Sequence, residues 1–476
     1  MRIFVDDPTQ SSRLFTKLPN AVQNELMQRH VIVVGAGAAG ILAAWRAATL
    51  GAKVTLVEKT NRVGTKILVS GGGKCNITHS GPIEDLLKAF RPEEGRFIRP
   101  ACYRFRNEEI VAMLTAKGLR VYTRPDGRIF PVDQTAKDVV GILRGYLEEE
   151  RVEIKLESAA SGLIVENGAV TGIRYRRAHT LTRSRLEEPE GYRANTAKNL
   201  LKQLDPVAAT SAGEEIELRA DRVILSTGGS SYPNSGTTGD GWPWMRELGH
   251  TVTKLRAALA PIYLETTREW SGIALRDIVL KARQGKEIAR WQGDLLFTHQ
   301  GVSGPTALAV SRVVAEQMET GEVTLEVDLR PNHAFEEVAA ELLEFASKNP
   351  GKRITTFVDA LIPDRLVEFL VDAAGIPIDL TGARLDRKAR NRLATVLKAW
   401  PLGKVRHVPL EKGEVVAGGV SLDEIDPHSM ASKRVKGLYL CGEILDVAGP
   451  VGGYNLQAAF ATGYVAGESA ARPNAT

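Results

Sequence analysis

The sequence predicts an α/β fold that carries an inserted α+β domain, and three observations support this. Residues 31–59, "VIVVGAGAAGILAAWRAATLGAKVTLVEK", read strand, glycine turn, helix, strand, acid. Two later segments, 219–241 and 435–467, again run a short apolar strand into glycines. Between those two, over about 251–427, strand-like runs such as "GEVTLEVDLRP" mix with helical runs such as "EEVAAELLEFASK" at 336–348.

The elements follow in order. Val31–Val34 are four β-favouring residues, a buried-strand signal. Gly35, Gly37 and Gly40 then spell G-x-G-x-x-G. Ala38–Leu50 is rich in strong helix formers, Gly51 is a stop, and Lys53–Val57 is a second strand ending at Glu58. In this pattern Gly35 permits a tight turn, Gly37 lets a pyrophosphate approach the backbone, and Gly40 lets helix and strand pack closely. The helix N-terminus offers unpaired N–H groups and a positive dipole end to phosphate. Glu58 is placed to accept hydrogen bonds from a ribose diol. Dinucleotide binding is therefore expected, with Gly35, Gly37, Ala38, Ala39, Gly40, Glu58 and Lys59 as contacts.

A second glycine cluster follows at once, in "EKTNRVGTKILVSGGGKCNITH" (58–79). Arg62, Gly64, Thr65 and Lys66 resemble the R-x-G-[GT]-[KR] continuation of two-dinucleotide-binding-domain flavoproteins. Gly71–Gly73 allow backbone to lie flat against a ligand. Further on, the strand Val223–Ser226 runs into Thr227, Gly228 and Gly229. The strand Leu438–Cys441 runs into Gly442, Glu443 and Asp446, and Gly452-Gly453-Tyr454-Asn455 opens an alanine-rich helix. That helix N-terminus suits the N1/O2 edge of a flavin, where negative charge gathers on reduction.

Together these segments resemble the HI0933-like family of FAD-binding flavoproteins. Its pattern K-x-x-x-S-G-G-G-[RK]-C-N-[VIL]-T is matched by Lys66, Ser70, Gly71, Gly72, Gly73, Lys74, Cys75, Asn76, Ile77 and Thr78. Its pattern G-E-x-L-D…G-G-Y-N-L-Q is matched by Gly442, Glu443, Leu445, Asp446, Gly452, Gly453, Tyr454, Asn455, Leu456 and Gln457. Segments 127–140 and 295–311 are also similar, so the resemblance spans about 30–470. It departs where the family usually has Thr before GGYNLQ, because this chain has Pro450-Val451. A backbone contact survives that change and a hydroxyl contact does not.

The resemblance implies a Rossmann-like FAD-binding domain of the two-dinucleotide-binding-domain type, discontinuous over 29–250 and 428–476. The inserted α+β domain at 251–427 is expected on the substrate side, covering the flavin. Added to the contacts above, it implies Lys66, Gly72, Gly73, Cys75, Asn76, Thr227, Gly228, Gly442, Glu443, Asp446, Gly453, Tyr454 and Asn455 as cofactor-binding residues. The activity implied is hydride exchange between FAD and an organic substrate, with NAD(P)H-fed reduction of a conjugated C=C bond in the lead. Amine oxidation and flavin-dependent RNA modification are the alternatives, with a noncatalytic flavin sensor behind them. No second G-x-G-x-x-G supplies a nicotinamide domain, so either NAD(P)H binds transiently over the flavin, as substrate does, or the electrons come from elsewhere.

Residues 1–28 read as an N-terminal arm, and 176–214 as a polar, charge-mixed insertion with a short helix at 196–204, interrupting a hairpin. The chain has 62 Lys and Arg against 57 Asp and Glu, a net charge of +5 that neither requires nor excludes nucleic acid, and with no clustered basic motif a nucleic-acid partner is not expected. Three distant cysteines, Cys75, Cys102 and Cys441, offer no CxxC and fit a reducing compartment. The N-terminus lacks an apolar core for a signal peptide, and no apolar run is long enough to span a bilayer. A cytoplasmic protein acting on a small molecule is expected, with no metal and no membrane span, since the eight histidines share no ligand spacing. His299, near a turn, and Tyr454 are the candidate proton donors. Each has a structural alternative: a histidine bonded to its turn, and a cap on the flavin ring. Cys75 is read as packing beside the cofactor more readily than as a redox thiol.

Overall fold

The computed structural model describes residues 29–177, 213–265 and 268–473. The expected N-terminal arm and nearly all of the 176–214 insertion, including its 196–204 helix, lie outside the described residues. The chain divides into two compact units, one running to Leu255 and resuming at Val416, the other spanning Arg256–Val415.

The first unit is built on a five-stranded parallel sheet. In spatial order its strands are Leu438–Leu440, Arg222–Leu225, His30–Val34, Lys53–Val57 and Glu153–Lys155. The central strands are buried on both faces, which is why they read as unbroken apolar runs rather than alternating ones. The first helix, Ala38–Thr49, leaves the central strand through Gly35-Ala36-Gly37. The last helix, Tyr454–Ala471, lies against it.

Glycine makes that helix pair possible. A Cβ on Gly463 would stand 2.1 Å from the Ala39 carbonyl oxygen, and one on Gly467 2.2 Å from that of Ala43. Both obstacles are helix backbone, which cannot swing aside. Gly463→Ala is therefore expected to cost ~3 kcal/mol by overpacking, read as a lower denaturant midpoint. An unchanged midpoint would mean the two helices part freely.

Two small antiparallel sheets complete the unit. One joins Thr78–His79, Arg128–Pro131 and Val121–Thr123. The other pairs Ser158–Glu166 with Ala169–Arg177 across an Asn167-Gly168 turn, and Ile216–Arg219 returns to its edge. The hairpin expected on both sides of the insertion is thus continued.

The second unit holds a closed antiparallel barrel, in the order Ile262–Leu264, Gly301–Ser303, Lys286–Phe297, Ala274–Gln284, Thr324–Asp328 and Trp400–His407. Helices Phe335–Lys348 and Arg387–Lys398 bury their apolar faces in the same core. This is the α+β character expected of the middle of the chain. Within it, Trp270 meets Phe297, Phe369 and Trp400 with ring centroids 5.1–5.6 Å apart.

Candidate cofactor and active site

The glycine turn is held from both neighbouring strands. Gly35, at φ +98°, donates its N–H to the Val57 carbonyl at 2.8 Å, and a Cβ there would lie 2.5 Å from the Ser226 oxygen. Ser226 Oγ sits 2.8 Å from both the Val34 and Gly35 carbonyls. A Cβ on Gly40 would be 1.8 Å from the Gly35 oxygen, so helix and turn touch there as expected. Gly37 is different: a Cβ on it meets no protein atom within 4 Å. Glu58 closes the turn, accepting from Ala36 N–H at 2.7 Å and Thr60 N–H at 2.8 Å. Each carboxylate oxygen keeps a further lone pair for a ribose hydroxyl. Lys59 reaches Thr238 and lies 2.6 Å from Asp240.

The second glycine cluster forms a tight turn, Ser70–Gly73, after the short helix Thr65–Val69. A Cβ on Gly72 also meets open space. Lys66 turns inward, with Nζ 2.8 Å from Ser231 Oγ and 2.6 Å from Glu443 Oε2. Glu443 Oε1 in turn accepts from Val416 N–H at 2.9 Å. Asp446 fastens the Gly418 N–H and the Thr253 hydroxyl, at 3.0 and 2.8 Å. Asn455 clamps the preceding loop, accepting from Gly449 N–H at 2.8 Å and donating to Gly449 O at 2.9 Å. Gly453 caps the last helix, and a Cβ on it would strike the Thr78 backbone at 2.6 Å. The GGYNLQ turn and the CNIT strand are therefore in direct contact.

Three buried polar atoms in this region have no hydrogen-bond partner: Asn76 Oδ1, Thr227 Oγ1 and Ser230 Oγ. Buried polar groups are normally paired. These orphaned atoms, together with the vacant Cβ positions at Gly37 and Gly72, suit a polar, phosphate-bearing ligand, so the residues present fit FAD. Cys75 is fully buried, and desolvation pushes its thiol up to about 12. It is a neutral thiol packed in the loop, and Cys102 and Cys441 are buried and free as well.

The sequence did not single out two features here. Gln457 is fully buried and ties the site together, accepting from Thr78 Oγ1 at 2.8 Å and donating to Phe105 O at 2.9 Å. The His79 ring stacks on Tyr454 at 4.8 Å and 22°. Its two nitrogens lie 2.8 Å from Ser80 O and 3.0 Å from Asp126 O, so that ring is fixed and fixes its neighbour. Burial raises the Tyr454 phenol above its usual range, and its hydroxyl has no partner among the described residues. His299 belongs to the second unit, exposed on the turn between Lys286–Phe297 and Gly301–Ser303.

Elsewhere in the first unit, Ser432, His250 and Glu424 reproduce the connectivity of a hydrolytic triad. His250 lies 2.9 Å from Ser432 Oγ and 2.8 Å from Glu424. Yet Ser432 Oγ already accepts from Arg434 and Val435 N–H, and the His250 side chain is fully buried. The cluster is a structural latch. Desolvation lowers His250 from its usual range, and the Arg434 hydrogen bond brings Glu424 down to about 2. Both groups bind protons more weakly folded than unfolded, so stability rises with pH wherever they titrate. The melting temperature is expected to fall as pH drops below about 6.5 for His250, and again from the ordinary 4.5 of a glutamate towards 2 for Glu424. A flat profile from pH 7 to 3 would contradict the latch. Among the described residues no group of three His, Cys, Asp or Glu could hold a metal, and no helix is long and apolar enough to cross a membrane.

A parallel-sheet dinucleotide domain with this second glycine cluster and a C-terminal helix capped by glycines defines an FAD-dependent oxidoreductase. The chain belongs to the HI0933-like family: the model of the HI0933-like protein Rossmann domain matches residues 29–186 and 192–469. Ribosomal RNA dihydrouridine synthases of Haemophilus influenzae and Escherichia coli are 29% and 26% identical, over 93% and 91% of this chain and 98% and 96% of theirs. A 3-dehydro-bile acid delta(4,6)-reductase of Clostridium scindens is 28% identical over 92% of this chain and 98% of its own. The fold is also similar to the 3-ketosteroid delta1-dehydrogenase of Sterolibacterium denitrificans, with TM-score 0.50 and 14% identity over 93% of this chain and 99% of that one.

Proposed function

We propose that this protein reduces a carbon–carbon double bond conjugated to a carbonyl, and that its substrate is a uridine in ribosomal RNA. One observation carries the reading. The full-length relatives are named for substrates as unlike as a ribosomal RNA and a bile acid. Dihydrouridine arises by saturating the C5=C6 bond of uracil, conjugated to the C4 carbonyl. A delta(4,6)-reductase of a 3-dehydro-bile acid saturates bonds conjugated to the C3 ketone. The bond change is of one kind: a hydride goes to the electron-poor end of the conjugated bond, the β-carbon or its vinylogous δ-carbon, and a proton to the neighbouring carbon. The lack of a clustered basic motif in the sequence made a nucleic-acid partner unexpected, but two of these relatives are named for RNA, and arginines distant in sequence can still meet on a surface.

FAD, when bound and reduced, would supply the hydride, with NAD(P)H as the proposed source of its electrons. The chain does the rest. The vacant space over Gly37 and Gly72 receives the cofactor against backbone, and Glu58 orients its ribose. Asn76 and Thr227 gain the partners they lack, while Lys66 is held towards the site by Glu443 and Ser231. The N–H groups at Gly453–Asn455 face developing negative charge. Tyr454, pinned by His79 and kept protonated by its raised pKa, gives the α-carbon its proton.

The test is mass spectrometry of ribosomal RNA incubated anaerobically with holoprotein and NADPH. The expected product gains two hydrogen atoms on one uridine. Unmodified RNA alongside a saturated 3-oxo-4-ene steroid would move the substrate to the bile-acid class and leave the bond chemistry standing.

A further inference from the structure

The geometry points to a second RNA-contacting site, a cationic cleft at the far end of the last helix that grips the phosphate backbone of the substrate. This rests on the RNA reading above. The cleft has a volume of about 710 Å³ and lies between helix Pro92–Arg104 and the C-terminal end of Tyr454–Ala471. Arg99, Arg104 and Arg472 line it, with Tyr103, His428 and a single carboxylate, Glu468.

Among the lining residues the charges do not cancel, although Glu84 accepts from the Tyr103 hydroxyl and acts on Arg99 and Arg106 from outside the cleft. Glu468 is buried and takes three guanidiniums: Arg46 at 2.9 Å and Arg472 at 2.8 Å on Oε1, and Arg104 on Oε2. One carboxylate thus orders three cations and neutralises one. Arg104 and Arg472 each spend one nitrogen on it, and their side chains remain 50% and 58% exposed, so most of each fork faces the cleft. Arg99 makes no ion pair among the described residues and lays its guanidinium over the Tyr103 ring, 5.5 Å from the centroid. Arg106 covers the same ring at 5.7 Å. Pinned guanidinium forks suit phosphate oxygens, and guanidinium planes stacked on an aromatic offer a face to a splayed base.

Distance selects a polymer. Glu468 is fourteen residues beyond Tyr454 on one helix, ~21 Å at ~1.5 Å per residue. A free nucleotide reacting near Tyr454 does not reach the cleft. A chain of several nucleotides spans both.

The experiment measures binding of a labelled RNA hairpin with a uridine-containing loop to the holoprotein across a salt series. Removing one arginine–phosphate pair lowers the slope of log affinity against log salt by ~0.7 for single-stranded RNA. The variant Arg99→Gln/Arg472→Gln is expected to bind at least tenfold more weakly at ~0.1 M salt with a slope smaller by ~1.4. A control, Arg120→Gln/Arg144→Gln, removes two exposed arginines outside the cleft and is expected to bind within twofold of wild type. Should the double variant lose FAD or melt early, Arg99→Gln carries the test, with affinity at least threefold weaker. Equal affinity and slope in the cleft variants, with uridine still reduced by wild type, overturns the cleft and leaves the reaction standing. Wild type that neither binds the hairpin nor reduces uridine overturns both.

Discussion

Gly37→Val is expected to give a folded protein that cannot hold FAD, with affinity lowered at least ~100-fold. A Cβ at Gly37 meets no protein atom within 4 Å, and the residue sits at φ −79°, ψ −171°, extended backbone that valine adopts readily. At the Cβ position nothing in the apoprotein resists the change. The added methyls fill the space where a pyrophosphate must meet the helix N-terminus, and the N–H groups there cannot reach phosphate past them. Gly40→Ala is the contrasting case: its Cβ would lie 1.8 Å from the Gly35 oxygen, so fold and cofactor are lost together. The readouts are visible flavin absorbance after reconstitution and the melting temperature of the apoprotein. A Gly37→Val protein that retains stoichiometric FAD would place the dinucleotide elsewhere.

Tyr454→Phe is expected to slow turnover ~100-fold, the usual scale for losing a general acid, while FAD content and the rate of flavin reduction by NADPH stay unchanged. Phenylalanine keeps the ring that stacks on His79 at 4.8 Å and meets Phe90 edge-on at 6.2 Å. Only the hydroxyl is removed, and it has no partner among the described residues, so little stability is at stake. The substitution separates two roles. A cap over the flavin needs the ring and survives, whereas a proton donor needs the hydroxyl and fails. Turnover within twofold of wild type would assign Tyr454 to the cap. Because burial raises this phenol, the acid form persists through neutral pH, and the loss of activity from this group is expected only on the alkaline side.

The nucleotide-binding half was legible because its signals are local. The strand at Val31, the glycines at 35, 37 and 40 and the acid at 58 fall within one βαβ unit, and the turn depends on a positive φ at Gly35 and a close approach at Gly40 that only glycine permits. The glycine-capped last helix was legible for the same reason. What lay beyond reach was pairing across the chain. The ion pair between Lys66 and Glu443 joins residues 377 apart, and the stack of His79 on Tyr454 joins residues 375 apart. Glu443, Asp446 and Asn455 stood out by motif as cofactor contacts. The structure occupies their side chains with Lys66, backbone N–H groups and a threonine hydroxyl, which makes them holders of the site's loops whatever else they touch. The cationic cleft escaped for a different reason. Arg99, Tyr103 and Arg106 follow helical spacing in the sequence, but Arg46, Glu468 and Arg472 join them only because the last helix packs against both Pro92–Arg104 and Ala38–Thr49. A net charge of +5 records none of that.

The chemistry proposed for this chain is reduction of a conjugated double bond. The most direct measurement follows flavin absorbance of the prereduced holoprotein under strict anaerobiosis, as uridine-containing ribosomal RNA or a 3-oxo-4-ene steroid is added. That chemistry predicts stoichiometric reoxidation by one of them, RNA first, with saturated product recovered in equal amount. Flavin that stays reduced with both, and is reoxidised only when oxygen is admitted, would contradict it.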